Sequence, residues 1–125
     1  MKVIEQTASN LYVIEATIAI GESASEAINT GGATPVSVFT PSAVEATTVA
    51  VKLQSAVAVG DTFVDSVNSS GGVIKAPFTA SLHAQFADAV NAPFIKLVAV
   101  SSADAAVAQA TAARTFRLVL RKYLS

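Results

Sequence analysis

The chain has 125 residues, which suits a single domain able to bury a core without metals or disulfides to staple it. It has no cysteine, so disulfides and thiolate metal sites are excluded, and a net charge of −1 with 14% charged residues offers nothing to steer it to nucleic acid or an anionic membrane. Hydrophobic residues reach 52%, mostly alanine and valine, yet no apolar run approaches the roughly 18 residues of a membrane span. The opening MKVIEQTASN carries Glu5, Gln6 and Asn10 where a signal peptide needs an unbroken apolar core. The expectation is a soluble protein; its compartment is left open, although a disulfide-free chain fits a reducing cytosol. With so little charge to cover it, part of its surface is expected to be hidden in a partner or an oligomer.

Valine, isoleucine and threonine supply 35 residues, which favours strands. Residues 1–10 read as an extended N-terminal arm, in which Lys2 and Ile4 are candidate partner contacts, and residues 11–125 as the folded domain. Over 11–20, Tyr12, Ile14, Ala16, Ile18 and Ile20 alternate with the residues between them, a period of two that predicts a strand with one face buried. Residues 26–29 fit a short edge strand closed by Thr30-Gly31-Gly32. Residues 34–40 form the next, with Val36 and Val38 on one face and Pro35 near its start. Residues 46–55 follow, with Val49, Val51 and Leu53 facing one way.

The stretch AVGDTFVDSVNSSGGVIKAPF, residues 58–78, carries turn residues at Gly60-Asp61 and again from Asn68 to Gly72. Between them 62–67 alternates as a strand, and 73–76 is a short strand stopped by Pro77, with 78–82 continuing it. Residues 82–90 space Leu82, Phe86 and Val90 as a short helix would. Residues 101–114 have the best helix propensity in the chain. Only Val107 could anchor an apolar face there, so an ordered loop is the better reading. Residues 94–100 and 115–121 are the closing strands. In the last, Phe116, Leu118 and Leu120 face one way, and Arg117 and Arg121 the other with Val119 between them. About eight short strands, with one or two short helices at most, predict an all-β, single-domain β-sandwich or jelly-roll-like fold.

No pattern marks a catalytic site. A phosphate-binding glycine loop opens a helix and usually carries a lysine, whereas Gly71-Gly72 runs into VIKAPF, which is strand-like. Asp61 and Asp65 are too sparse for a calcium loop. The single histidine, His83, has no serine motif beside it, and the nine carboxylates are scattered. The expectation is a protein that is not an enzyme and has no cofactor or metal. There is no tryptophan and only two tyrosines, which weakens a sugar-binding module. What remains is charge. Arg114, Arg117, Arg121 and Lys122 put half of the eight positive charges in the last 12 residues. Arg117 and Arg121 share a strand face that could meet an acidic partner, although a solvated face that resists edge pairing would look the same. No aromatic is interleaved with these arginines, which argues against nucleic acid.

Two stretches carry a resemblance. AINTGGATPVSVFTPSAVEATTVAVKLQSAVAVGDTFVDSVNSSGGVIKAPF, residues 27–78, resembles small virion proteins encoded among the structural genes of tailed bacteriophages. PFIKLVAVSSADAAVAQATAARTFRLVLR, residues 93–121, looks like their closing pair of strands around a Gln-Ala loop. Together the two cover roughly three quarters of the chain, as a pattern of strands and turns with no catalytic signature. The chain departs at Gly60-Asp61, where the resembling proteins often carry Asp-Gly with an aromatic nearby and here only Phe63 is present. The resemblance implies a capsid decoration or cement protein: a small β-sandwich or jelly roll, frequently a homotrimer, seated on the major capsid protein at the outer surface of the head. The charge balance adds no nucleic-acid or membrane partner to this expectation. The alternatives are another virion component, such as a tail, neck or fibre-base protein, and a sugar-binding sandwich module.

Overall fold

The computed structural model describes residues 3–8, 10–77, 81–86, 88 and 90–122, with residues 3–8 described by their backbone course. Among them are ten strands: β1 (Val3–Ala8), β2 (Leu11–Ile18), β3 (Ile28–Asn29), β4 (Thr34–Phe39), β5 (Ala50–Ala56), β6 (Val64–Asp65), β7 (Lys75–Pro77), β8 (His83–Gln85), β9 (Phe94–Val100) and β10 (Arg114–Arg121). They form two antiparallel sheets of five strands each. The first runs β1-β2-β10-β4-β8; the second runs β3-β9-β5-β6, with β7 also paired to β5. The fold is an all-β, sandwich-like single domain. No described residue is helical, and so no helix is long and apolar enough to cross a membrane.

The period of two in the sequence is what separates core from surface. Ile14, Ala16 and Ile18 of β2 are buried, as are Phe116, Leu118 and Leu120 of β10, all at 0–1% exposure. The two strands pair in unbroken register from Arg114↔Ile18 to Arg121↔Leu11, so their inward faces form one layer. The opposing layer is Val51 and Leu53 of β5 with Ile95, Leu97 and Ala99 of β9. Each large side chain taken out of water this way contributes about 1.5–3 kcal/mol. β9 is buried on both faces. Its other side, Val98 and Val100, packs with Ala50 and Ala24 in a second small cluster, which accounts for the unbroken LVAV run. Val49, expected to face the core with Val51, is instead 44% exposed just before β5 begins.

The helical reading of 82–90 gives way to extended chain around β8, while 101–114 is the ordered loop expected, with turns and no helix. Residues 82–90 contain β8, where exposed His83 and Gln85 alternate with buried Ala84 and Phe86. The HAQF tetrapeptide therefore has strand period, and the Leu82/Phe86/Val90 spacing that suggested helix is incidental. Residues 78–80, read as part of a strand, lie outside the described residues. In 101–114 helix propensity loses to pairing with neighbours. Ala106 bridges Val100, the Val107 amide donates to the Ala99 carbonyl, and the Gln109 amide donates to the Glu22 carbonyl while its own carbonyl accepts from Gly21. A turn at Asp104, which adopts φ 61°, makes the return possible.

The N-terminal segment, expected as an arm, runs along β2 as β1 at the edge of the first sheet. Its register is Val3↔Ile14, Glu5↔Val13 and Ala8↔Leu11, with irregularities between these pairs. A register shift also interrupts β4 against β10: Ser37 pairs with Val119, but Pro35 with the next residue, Leu120. Val36 is the extra residue of this bulge. It is only half-buried, whereas Val38 is fully buried, so the expected Val36/Val38 face is split.

Candidate interaction face

The outer face of the first sheet is set by the strand registers. One row across it is Glu15, Arg117, Phe39 and His83, drawn from β2, β10, β4 and β8. The next is Val13, Val119, Ser37 and Gln85, and below it Leu11 and Arg121 are paired. Leu11, Val13, Val36, Ser37, Phe39, His83, Gln85, Val119 and Arg121 line a groove of about 460 Å³. Phe39 is 45% exposed, and its ring stacks on that of His83 at 4.3 Å between centroids and 18° between planes. An offset aromatic pair of this kind holds both rings in place.

Arg117 and Arg121, the two arginines expected to share an exposed face, both stand on it. Arg117 is exposed and Arg121 half-buried. Neither forms an ion pair with a described residue. The Nε of Arg121, like that of Arg114, is enclosed without an acceptor among the described residues. The other two members of the C-terminal basic cluster separate from them. Arg114 lies at the start of β10, where its guanidinium donates to Thr111 Oγ1 at 3.0 Å and sits 3.9 Å from Glu45. Lys122 is exposed beyond the end of β10. Of the candidate contacts in the N-terminal segment, Ile4 belongs to the β1 backbone and Lys2 lies outside the described residues.

Three described ion pairs lie within the fold. Lys52, 8% exposed, places its amine 2.9 Å from Asp65 on β6, and Lys75 of β7 reaches Asp104 at 2.6 Å. The Gln54 amide donates to Asp65 at 3.0 Å. That bond and the Lys52 ammonium hold the Asp65 carboxyl below its ordinary value. These contacts fasten β6 and the Asp104 turn to the second sheet, so their chemistry is spent within the fold. Glu45 is used likewise. Its carboxylate accepts from the Thr111 hydroxyl at 2.7 Å and the Thr111 amide at 2.8 Å, which with Arg114 lowers its pKa.

The glycine-rich stretch at 68–72 is a turn. Asn68 Oδ1 accepts from the Ser70 and Gly72 amides, both at 2.9 Å, and the Gly71 amide donates to the Asn68 carbonyl. Gly71 sits at φ 82°, a conformation that suits glycine. The amides that would cradle a phosphate are therefore already committed. Val67 bridges Val73 above the turn, and the chain returns to β5 as β7. Among the described residues no three of the histidine and acidic side chains gather as metal ligands.

Sequence reasoning missed the apolar half of this face. Val36 reaches it only through the bulge, and the Phe39–His83 stack requires β4 and β8 to be neighbours although 43 residues separate the two rings in the chain. The alternation in SVF, which turns Phe39 away from buried Val38, was the one available signal. No family model matches the chain, and no curated protein or solved structure does so either.

Proposed function

We propose that the chain is a structural component of a tailed-bacteriophage particle. In this reading it is a decoration, or cement, protein that works as a homotrimer on the outer surface of the major capsid protein lattice. The observation that carries the proposal is the outer face of the first sheet. It combines two arginines without an ion-pair partner among the described residues, an exposed aromatic stack and an apolar groove, in a chain whose described ion pairs serve the fold. A second feature supports a covered surface. Val57, Val59, Val64 and Val67, around the β5–β6 connection, are 52–78% exposed. A subunit of this kind clamps a lattice by mass action, binding the assembled shell and stabilising it against disassembly. Repetition over many sites lets each contact be weak.

The test is localisation. An antibody raised against the chain should decorate intact heads in electron micrographs of particles from cells that produce it. Label confined to tails or necks would replace the decoration role with the tail or neck alternative. No label on any particle would end the virion proposal. The sugar-binding alternative draws on one feature, the flat exposed ring pair of Phe39 and His83, and a glycan array decides it.

A further inference from the structure

We infer that the groove on the outer face of the first sheet seats an extended segment of the protein partner that carries a carboxylate and an apolar side chain two residues apart. Arg121 takes the carboxylate, and Val119, Val13 and Phe39 take the apolar side chain. The inference rests on the partner-binding reading above and gives it a chemistry.

Three observations converge on it. The first is charge. Arg117 and Arg121 stand on one face, and Glu15 is the one acid whose described side chain shares it. Glu15 lies opposite Arg117 in the register, whereas Arg121 is opposite Leu11 and Thr34. The second is the state of Arg121. It is half-buried and lines the groove, and its Nε, like that of Arg114, is enclosed with no acceptor among the described residues, which leaves the rest of the guanidinium to meet an incoming carboxylate. A guanidinium fork accepts a carboxylate through two parallel bonds, which makes the site selective for a planar anion.

The third is spacing. Arg121 and Val119 are two apart on β10 and share its outer side, so their side chains leave the sheet about 6.5 Å apart. A second extended chain lying over β10 repeats that interval between its own alternate side chains. It would set its acid over Arg121 and its apolar residue over Val119. Val13 on one side of Val119, and Val36 and Phe39 toward the other, make the apolar end of the groove. A polynucleotide would meet an apolar floor here and only two arginines, which is why the occupant is assigned as protein.

The probe is an eight-residue peptide with glutamate and valine two positions apart, with its glutamine twin as control, titrated into the labelled full chain and followed by NMR. The glutamate peptide should shift the Val119 and Ser37 amides and the Arg121 Nε–H, and should bind roughly tenfold more tightly than the twin. Arg121→Gln should erase the difference between the two peptides. Lys96→Gln, on the other sheet, should leave it intact. Should Arg121→Gln fail to fold, Arg121→Lys keeps the charge without the fork and should retain a reduced preference. Equal binding of both peptides, shifts confined to other surfaces, or no binding at millimolar peptide each overturns the inference. Particle binding separates this result from the larger proposal. If Arg121→Gln still decorates heads as the parent does, the groove assignment falls and the decoration role stands. If the peptides are discriminated but the parent labels no particle, the reverse holds.

Discussion

Gln109 is the residue on which the loop packing turns. Its side chain is fully buried, with Oε1 accepting from the Glu45 amide at 2.9 Å and Nε2 donating to Thr48 Oγ1 and the Val107 carbonyl, both at 3.1 Å. Two loops, the β4–β5 and β9–β10 connections, therefore meet on one amide. Gln109→Leu keeps much of the volume but strands these partners, and it should cost about 2–3 kcal/mol, readable as a fall in Tm of roughly 10 °C. A melting point within a degree or two of the parent would show that the loops hold one another without it. Nothing in AVAQATAA marks this glutamine out, because a glutamine among alanines reads as exposed until tertiary neighbours are known. Beside it, Thr111 and Arg114 depress the Glu45 pKa, so the unfolded chain binds the proton more readily than the folded one. The stability that Glu45 contributes is thus present above its ordinary value of 4.5 and lost as pH falls through the lower folded-state value. Asp65 acts in the same direction from an ordinary value of 3.8. Denaturant midpoints measured from neutral pH downward should decline below about pH 4.5 and decline less steeply in Glu45→Gln.

At the scale of elements, the strands with strong alternation were legible. β2, β9 and β10 lie within two residues of their expected bounds, and the inward residues of β10 are those the pattern assigns. Short strands were less so. β6, β7 and β8 are two or three residues long, and each exists because a neighbouring strand offers it partners. The bulge in β4 left no local mark beyond Pro35, so the apolar end of the groove could not be read from the chain. Half of the candidate site was readable, as the Arg117/Arg121 pair, since alternation alone places two residues four apart on one face. β1 gives a direct test at this scale. Deleting residues 1–9 removes an edge strand and none of the described core side chains. The truncated chain should stay folded, with faster hydrogen exchange along β2 but not β9, and should lose particle binding if the segment also contacts a neighbour. Loss of near-ultraviolet circular dichroism on truncation would instead make β1 integral to the core.

For the whole molecule, the balance of surface is the informative quantity. Ile20, Phe39, Val49, Val57, Val59, Val64, Val67 and Leu82 are all more than a third exposed. Their spread over both sheets fits a subunit with more than one neighbour better than one with a single ligand. Sedimentation velocity at micromolar concentration should give a species near three times 12.7 kDa if trimerisation precedes decoration. A clean monomer would shift assembly to the shell itself and withdraw the support that burial in a free oligomer gives to the proposal.

The free margins of the sheets have a further consequence. The second sheet ends in β3, of two residues, and in the interrupted pair β6 and β7; the first ends in the three-residue β8 and the irregularly paired β1. No described margin offers a long, straight row of open amides and carbonyls of the kind that recruits foreign chains into fibrils. A protein this rich in valine is therefore sticky on its faces yet blunt at its edges, and its contacts with other chains are directed to the faces.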